Sequence, residues 1–595
     1  MKFLSPARRA LALAAACLLA LPPARMAGEQ RSMDFDTDLN TIWLEYQAGK
    51  YGEAMTRIAD FIDEYGDKLL FEEVEKRLRY LDTLSAVRLK DWPHAIDAAL
   101  SYQDAKGNSP SSWDEEIAFW RGIGLLNTAQ FGKCREVLGP FVVKYRDSDK
   151  VVPAYFAIGA SFLKEGDYAG ARNHFAGLRR QFTGTDWGRA VLLELLALVK
   201  AGETAQTAEV AAMAYDRLDE VPQVAALQML MLQTASQLSK SGQPRRAVAA
   251  LLRILDRERV LEIQRRRLAE LESQLERVSD QDADSIAALN LRKLIATIGG
   301  EVERFRQFEN FDANVQFQLA GAWLKLKRYR EAAFVLERML ESLPPNPVSE
   351  AAVDTLVKCH AAVERWPKVV EVADLFAGKF PESEFLPGIR ILRGQAQMEM
   401  GDYAAAGDTF AMLVERHPGH ELADDARFQQ GYAAAMDGEY DKARETFESQ
   451  LEAYPDGNMS EDALYWIANT DSMAGAYERS IAGMRRYLER HPDGIHSIDA
   501  RYRIAFAYHA LGDYERSMPL LDSFIAEHPD DVNTSEALLL LGEAHLARAE
   551  IDQGIELLQR VPRGDRDYAE EAWFKIGKAY RLNDQIEPMR EHFSE

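Results

Sequence analysis

A period of 37 residues runs through the C-terminal half of this chain. Tyr329, Trp366, Tyr403, Tyr440, Tyr477, Tyr514 and Ile551 stand 37 residues apart, and Pro344, Pro381, Pro418, Pro455, Pro492 and Pro529 keep the same interval. Gly401, Gly438, Gly475 and Gly512 do so as well. A repeat of this length is one supersecondary unit. It buries its apolar face only against its neighbours, so the chain must stack into an array and not close into separate globular domains.

One copy shows the local physics. Asp424–Met436 reads as a helix with small and aromatic residues on its inner face. Asp437-Gly438-Glu439 is a turn, and its glycine suits the left-handed conformation that ends a helix. Tyr440 opens a second helix with Ala443, Phe447 and Leu451 at i, i+4 and i+8 spacings, an apolar stripe. Pro455 stands just beyond, where it blocks continuation without harming the helix. The next helix begins after Ser460, with Glu461 and Asp462 in its first turn at the positive end of the dipole. Gly431 and Ala443 sit where the paired helices need close approach.

This pattern resembles the tetratricopeptide repeat. In a 34-residue frame from Asp424, the family's small residue at position 8 is Gly431, followed by Gly438, Tyr440, Ala443, Phe447 and Pro455 at positions 15, 17, 20, 24 and 32. The frame from Pro387 matches equally, with Gly394, Gly401, Tyr403, Ala406, Phe410 and Pro418. The resemblance implies an all-α, right-handed superhelical solenoid of about thirteen or fourteen helix-turn-helix repeats. The texts GDYAAAGDTFAMLVERHP and GEYDKARETFESQLEAYP are similar to repeats of periplasmic Tol–Pal-associated proteins of the YbgF type and of outer-membrane assembly proteins of the BamD type.

Residues 35–243 carry looser copies, anchored at Tyr51, Trp92, Phe131, Tyr168, Thr204 and Pro244. The copy at Thr204 rests mostly on spacing. Pro244 to Tyr329 is 85 residues, one repeat plus 48 more. Within 244–312, Leu261, Leu268, Leu271, Leu275 and Val278 keep three/four spacing, Asp280–Ser285 reads as a polar turn, and Leu291, Leu294, Ile298, Val302 and Phe305 return. We read a long coiled-coil-like helical hairpin, inserted between the loose array and the regular array of 313–562, and available for homo-oligomerisation. Residues 563–595 hold a terminal repeat and a capping helix.

The array must be solvated, and the composition agrees, with 28% charged residues and a net charge of -24. So acidic a surface repels phosphate backbones and excludes nucleic acid as a general partner. Residues 1–27 read as an export signal. Lys2, Arg8 and Arg9 precede an apolar run, Ala10–Leu21, of 12 residues, short of the roughly 20 needed to span a bilayer. An uncleaved membrane anchor, or a lipid on Cys17, stays open beside cleavage.

No phosphate loop, dinucleotide fingerprint, metalloprotease motif or nucleophile elbow appears, so no enzyme, cofactor or metal site is expected. Cys134 occupies a small-residue slot, and Cys359 precedes His360 on a helix, where neighbours diverge by about 100°. Both read as packing. His417 and His420 stand close enough in sequence to suggest a metal site, but His417, His491 and His528 all precede the repeat proline and read as helix-closing residues.

One constellation carries a binding reading. Position 5 of successive first helices is Phe428, Tyr465 and Tyr502, position 9 is Tyr432, Asn469 and Phe506, and position 2 is Asp425, Asp462 and Asp499. In tetratricopeptide proteins these positions tend to line the concave groove. The resemblance therefore implies a ladder of aromatics beside carboxylates for a peptide with apolar anchors and basic residues. The other reading is that the position-5 aromatics pack between repeats, since every copy needs a core. The expected function is a non-catalytic scaffold of the bacterial cell envelope whose partners are other envelope proteins. Two alternatives are the superhelical support of a peptidoglycan-active enzyme and a cytoplasmic or membrane-anchored assembly factor.

Overall fold

A computed structural model describes residues 33–66, 71–107, 110–282 and 286–594. The export segment 1–27 with Cys17, and residues 283–285 of the polar turn, lie outside these. Among the described residues every regular element is a helix. None of these helices is long and apolar enough to cross a membrane. The chain divides into two compact units, one up to Val335 and one from Leu336.

The second unit shows how the period is built. First helices start at Ser349, Leu386, Ala423, Ser460, Ser497 and Thr534, each 37 residues after the last. Second helices begin at Trp366, Tyr403, Tyr440, Tyr477, Tyr514 and Ile551, on the same interval. Aspartates cap two of them: Asp402 accepts from the Ala405 backbone N–H and Asp513 from that of Arg516. The turn between paired helices holds one residue at positive φ, between +74° and +82° at Gly401, Gly438, Gly475 and Gly512. The same slot is left-handed at Glu364 (φ +58°) and Ala549 (φ +63°), where L side chains are strained.

In two of these pairs a glycine of the first helix receives an aromatic ring from the second. A Cβ on Gly431 would stand 2.8 Å from Phe447, and one on Gly394 2.4 Å from Phe410. Both rings are fully buried, a gain of about 1.5–3 kcal/mol each. Substitution of either glycine forces the ring out of that contact.

The first unit uses the same pair from Met33–Gln47 and Tyr51–Tyr65 onward. Gly159 meets Phe175 as Gly431 meets Phe447. The segment at Thr204 is a helix, Thr204–Asp216, paired with Gly184–Ala201. After the short helix Pro244–Leu251 come two long ones, Arg257–Asp282 and Ile286–Gln307, packed on each other. The first continues through Asp280 to Asp282, residues assigned from sequence to the turn. Their near ends join the solenoid core. Val260, Leu261, Ile298, Val302 and Phe305 are buried in one cluster with Leu232 and Leu238. Toward the far end Leu275 and Val278 are only half-buried.

Candidate functional site

The three position-5 aromatics are core residues. Phe428, Tyr465 and Tyr502 are buried, and each is covered by the next repeat. Phe428 shares its cluster with Ala463, Tyr465 with Ala500, and Tyr502 with Ala537. Each alanine lies in the first turns of the following first helix, directly after a carboxylate: Asp462-Ala463, Asp499-Ala500 and Glu536-Ala537. The small residue permits close approach, and the carboxylate meets whatever polar group the aromatic offers.

Tyr465 offers a hydroxyl, which donates to Asp499. Asp499 also accepts from Arg503 Nε at 3.1 Å and from the Asn533 side chain at 3.2 Å. Burial pushes the Tyr465 phenol far above the ordinary tyrosine range, and the Asp499 charge adds to this, so the hydroxyl stays protonated and remains the donor. Burial raises Tyr502 in the same way, with the Glu536 carboxylate beside it contributing. Asp462 lies 2.9 Å from His496 Nε2, and that imidazole stacks on Tyr465 with ring centroids 4.2 Å apart.

The ladder is therefore a seam between repeats for most of its members. Asn469 is buried too, and its side-chain oxygen has no hydrogen-bond partner among the described residues. Asp425, Asp462, Asp499, Tyr432 and Phe506 are half-buried. Tyr432 packs edge-on against Trp466 at 4.9 Å, and Phe506 lies 6.3 Å from Tyr477. Burial raises the Asp425 carboxyl, and the adjacent Asp424 adds to it. Tyr432, Phe506 and Asp425 are the members that keep surface for a ligand.

Sequence reading missed a second carboxylate row, at position 1. Asp424 accepts from the Gln450 amide at 2.8 Å and from the Met459 backbone N–H at 3.1 Å. Glu461 accepts from the Tyr487 hydroxyl at 2.6 Å and from the Ile495 N–H at 2.9 Å. These side chains tie the inter-repeat turn to the helix before it. The signal was present in the 26-residue spacing of each pair, Asp424 with Gln450 and Glu461 with Tyr487.

Cys134 and Cys359 are buried, unpaired thiols. Burial pushes each up to about 11. His420 Nδ1 accepts from the Leu422 N–H, closing a turn. Among the described residues no three His, Cys, Asp or Glu converge as metal ligands.

Two family models match along this seam. Residues 391–458 match the tetratricopeptide repeat, and residues 457–576 match a family described as outer membrane lipoprotein. These C-terminal repeats are tetratricopeptide repeats, and they are similar to those of that lipoprotein family.

The tetratricopeptide array is similar to solved structures. One is a tetratricopeptide repeat protein from Parabacteroides merdae, 16% identical over 44% of this chain and 97% of that one, TM-score 0.33. Another is PilW, described as a widely conserved type IV pilus biogenesis factor, 19% identical over 38% and 97%, TM-score 0.30. A third is the C-terminal part of a repeat-containing protein from Cytophaga hutchinsonii, 16% identical over 46% and 98%, TM-score 0.33. No curated protein sequence matches the chain.

Proposed function

We propose that the chain is a non-catalytic protein-interaction scaffold of the bacterial cell envelope. One observation carries this reading: tetratricopeptide repeats at 391–458 run directly into a match to an outer membrane lipoprotein family at 457–576. Arrays of this kind present long surfaces that vary while the core pattern persists, and they work by holding other proteins. The partner is an envelope protein with an extended or helical segment, taken along a groove edged by Asp425, Tyr432 and Phe506. Residues 1–27 serve as the export signal, with an uncleaved anchor or a lipid on Cys17 as the other means of membrane attachment. The long hairpin at 244–312 is the element available for self-association.

Fractionation of the native host with sequencing of the mature N-terminus tests the compartment. The proposal expects the chain with the envelope, shortened near residue 27 or held at the membrane. Recovery of full-length chain in the cytosol overturns it.

A further inference from the structure

Arg390 is a buried guanidinium that no group of the chain answers. It lies in the helix Leu386–Glu399 and is 8% exposed. Among the described residues it makes no hydrogen bond and no ion pair, and its buried Nη1 has no partner. A buried charge without a counter-charge is strongly unfavourable, and arginine cannot escape by giving up its proton. Burial weighs against the Arg390 charge, and the nearby cations Arg416 and Arg393 add to this. Arg393 is already held by Asp374 at 2.7 Å, whereas Arg416 is exposed and in no ion pair among the described residues. His417 is half-buried, and burial together with the Arg390 charge holds its imidazole below the ordinary value.

The other repeats show which group would answer it. The first helices that start at Ser349, Ala423, Ser460, Ser497 and Thr534 each carry a carboxylate at position 1 or 2: Glu350, Asp424, Glu461, Asp499 and Glu536. In Leu386–Glu399 these positions are Pro387 and Gly388, and no acidic residue stands in the first turn. Asp424 and Glu461 tie down the turn that follows their helix pair. The residues aligned with Gln450 and Met459, the partners of Asp424, are Leu413 and Leu422, and the Leu422 N–H turns to His420 Nδ1 instead. Position 4 follows position 1 at i+3, on the same helix face, so Arg390 stands beside the place where the next two repeats carry a carboxylate. The acidic residues that flank the cluster in sequence, Glu382, Glu384, Glu415 and Glu421, are all exposed, and none is in an ion pair among the described residues. The Glu382 charge reaches His417.

We propose that Arg390, with Arg416 and His417, receives the carboxylate of a ligand, which brings from outside the anion that Asp424 and Glu461 supply within their own repeats. A guanidinium presents paired N–H donors in the geometry a carboxylate accepts, and the exposed Arg416 draws the anion to the opening. A free organic acid and the carboxylate of a peptide offer the same chemistry. The site rests on neither the compartment nor the groove residues.

The test follows the thermal midpoint of the full chain in sodium acetate against sodium chloride at equal ionic strength. It is repeated with N-acetyltriglycine against its C-terminal amide. Acetate should give a saturable rise. A rise with N-acetyltriglycine that the amide lacks extends the site to peptide carboxylates, and a rise with acetate alone restricts it to small acids. Arg390→Met should abolish the rise. It removes an unanswered buried charge, so its circular dichroism should match the parent and its midpoint in chloride should not fall. Arg416→Met, at an exposed position, should weaken the response about twofold to fivefold. Pro387→Asp places a carboxylate where Asp424 stands one repeat later, and should raise the midpoint in chloride while losing the response to acetate. No acetate-specific rise in the parent overturns the proposal, as does a rise that Arg390→Met keeps, or one given by inorganic phosphate and not by acetate. If Glu382→Gln lowers the midpoint in chloride while acetate leaves the parent unchanged, Glu382 is the anion and the proposal falls.

Discussion

The phenol of Tyr465 donates to the carboxylate of Asp499, 34 residues on and in the first turn of the next repeat's first helix. The pair explains how an array without long-range topology keeps its register. Each repeat offers a position-5 side chain, and the following one closes over it with a carboxylate and an alanine. The Tyr465 ring is also buried against Tyr487, with centroids 5.9 Å apart, so its hydroxyl reaches Asp499 from a packed ring.

Tyr465→Phe keeps that ring packing and leaves Asp499 short of a donor. We expect a loss of about 1–3 kcal/mol, with a similar loss for Asp499→Asn and a double variant that loses less than the sum. Urea unfolding of the full chain, followed by both tryptophan fluorescence and circular dichroism, measures this. Additive losses would mean that the two residues act independently.

Ala549 occupies the left-handed turn slot that Gly512 fills one repeat earlier. The L side chain costs about 1–2 kcal/mol there, and glycine's extra unfolded-state freedom returns about 0.5–1 of that. Ala549→Gly should therefore raise the thermal midpoint, and Gly438→Ala, at φ +82°, should lower it. Opposite signs in differential scanning calorimetry are the expected result.

The Tyr487 hydroxyl holds the Glu461 carboxyl below its ordinary value, with the Ile495 N–H assisting. A carboxylate depressed in the folded state adds stability that is present above its unfolded pKa, about 4.3, and is lost as pH falls through the lower folded value. The Glu461→Gln variant should be less stable than the parent at neutral pH, and the gap should close as pH drops below about 4. Denaturant midpoints between pH 3 and 7 check this. A gap that stays constant across the range would contradict it.

The period was legible because the residues that set it, the helix-turn glycines, the tyrosines that open second helices and the closing prolines, act through local sterics. The left-handed slot was legible by residue type only where it held glycine. At Glu364 and Ala549 the 37-residue interval marks the slot, but the residue type does not. The Thr204 helix is similar, since its pairing with Gly184–Ala201 is set by burial and not by anchor residues. At the site, spacing placed Phe428, Tyr465 and Tyr502 in one row but could not say which element covers them. The face of a solenoid helix that meets its neighbour and the face that meets a ligand are adjacent and share residue types. Their separation rests on which side chains the next repeat buries.

Cys134 and Cys359 give each unit its own reporter. Burial holds both thiols protonated, up to about 11, and out of reach of reagents. We expect neither to react with a maleimide at neutral pH in the folded chain. In rising denaturant, mass spectrometry should show Cys134 labelling follow the opening of the first unit and Cys359 that of the second. Rapid labelling of either in the native chain would contradict its placement.

Site-specific photo-crosslinking in intact cells of the native host tests the central claim most directly. A photoreactive amino acid is placed at Tyr432 or Phe506, the half-buried aromatics, or at Glu452, which is exposed on a second helix. The scaffold account predicts that Tyr432 and Phe506 capture the same envelope protein and that Glu452 does not. No adduct at either aromatic position, or the same adducts at all three, would contradict it.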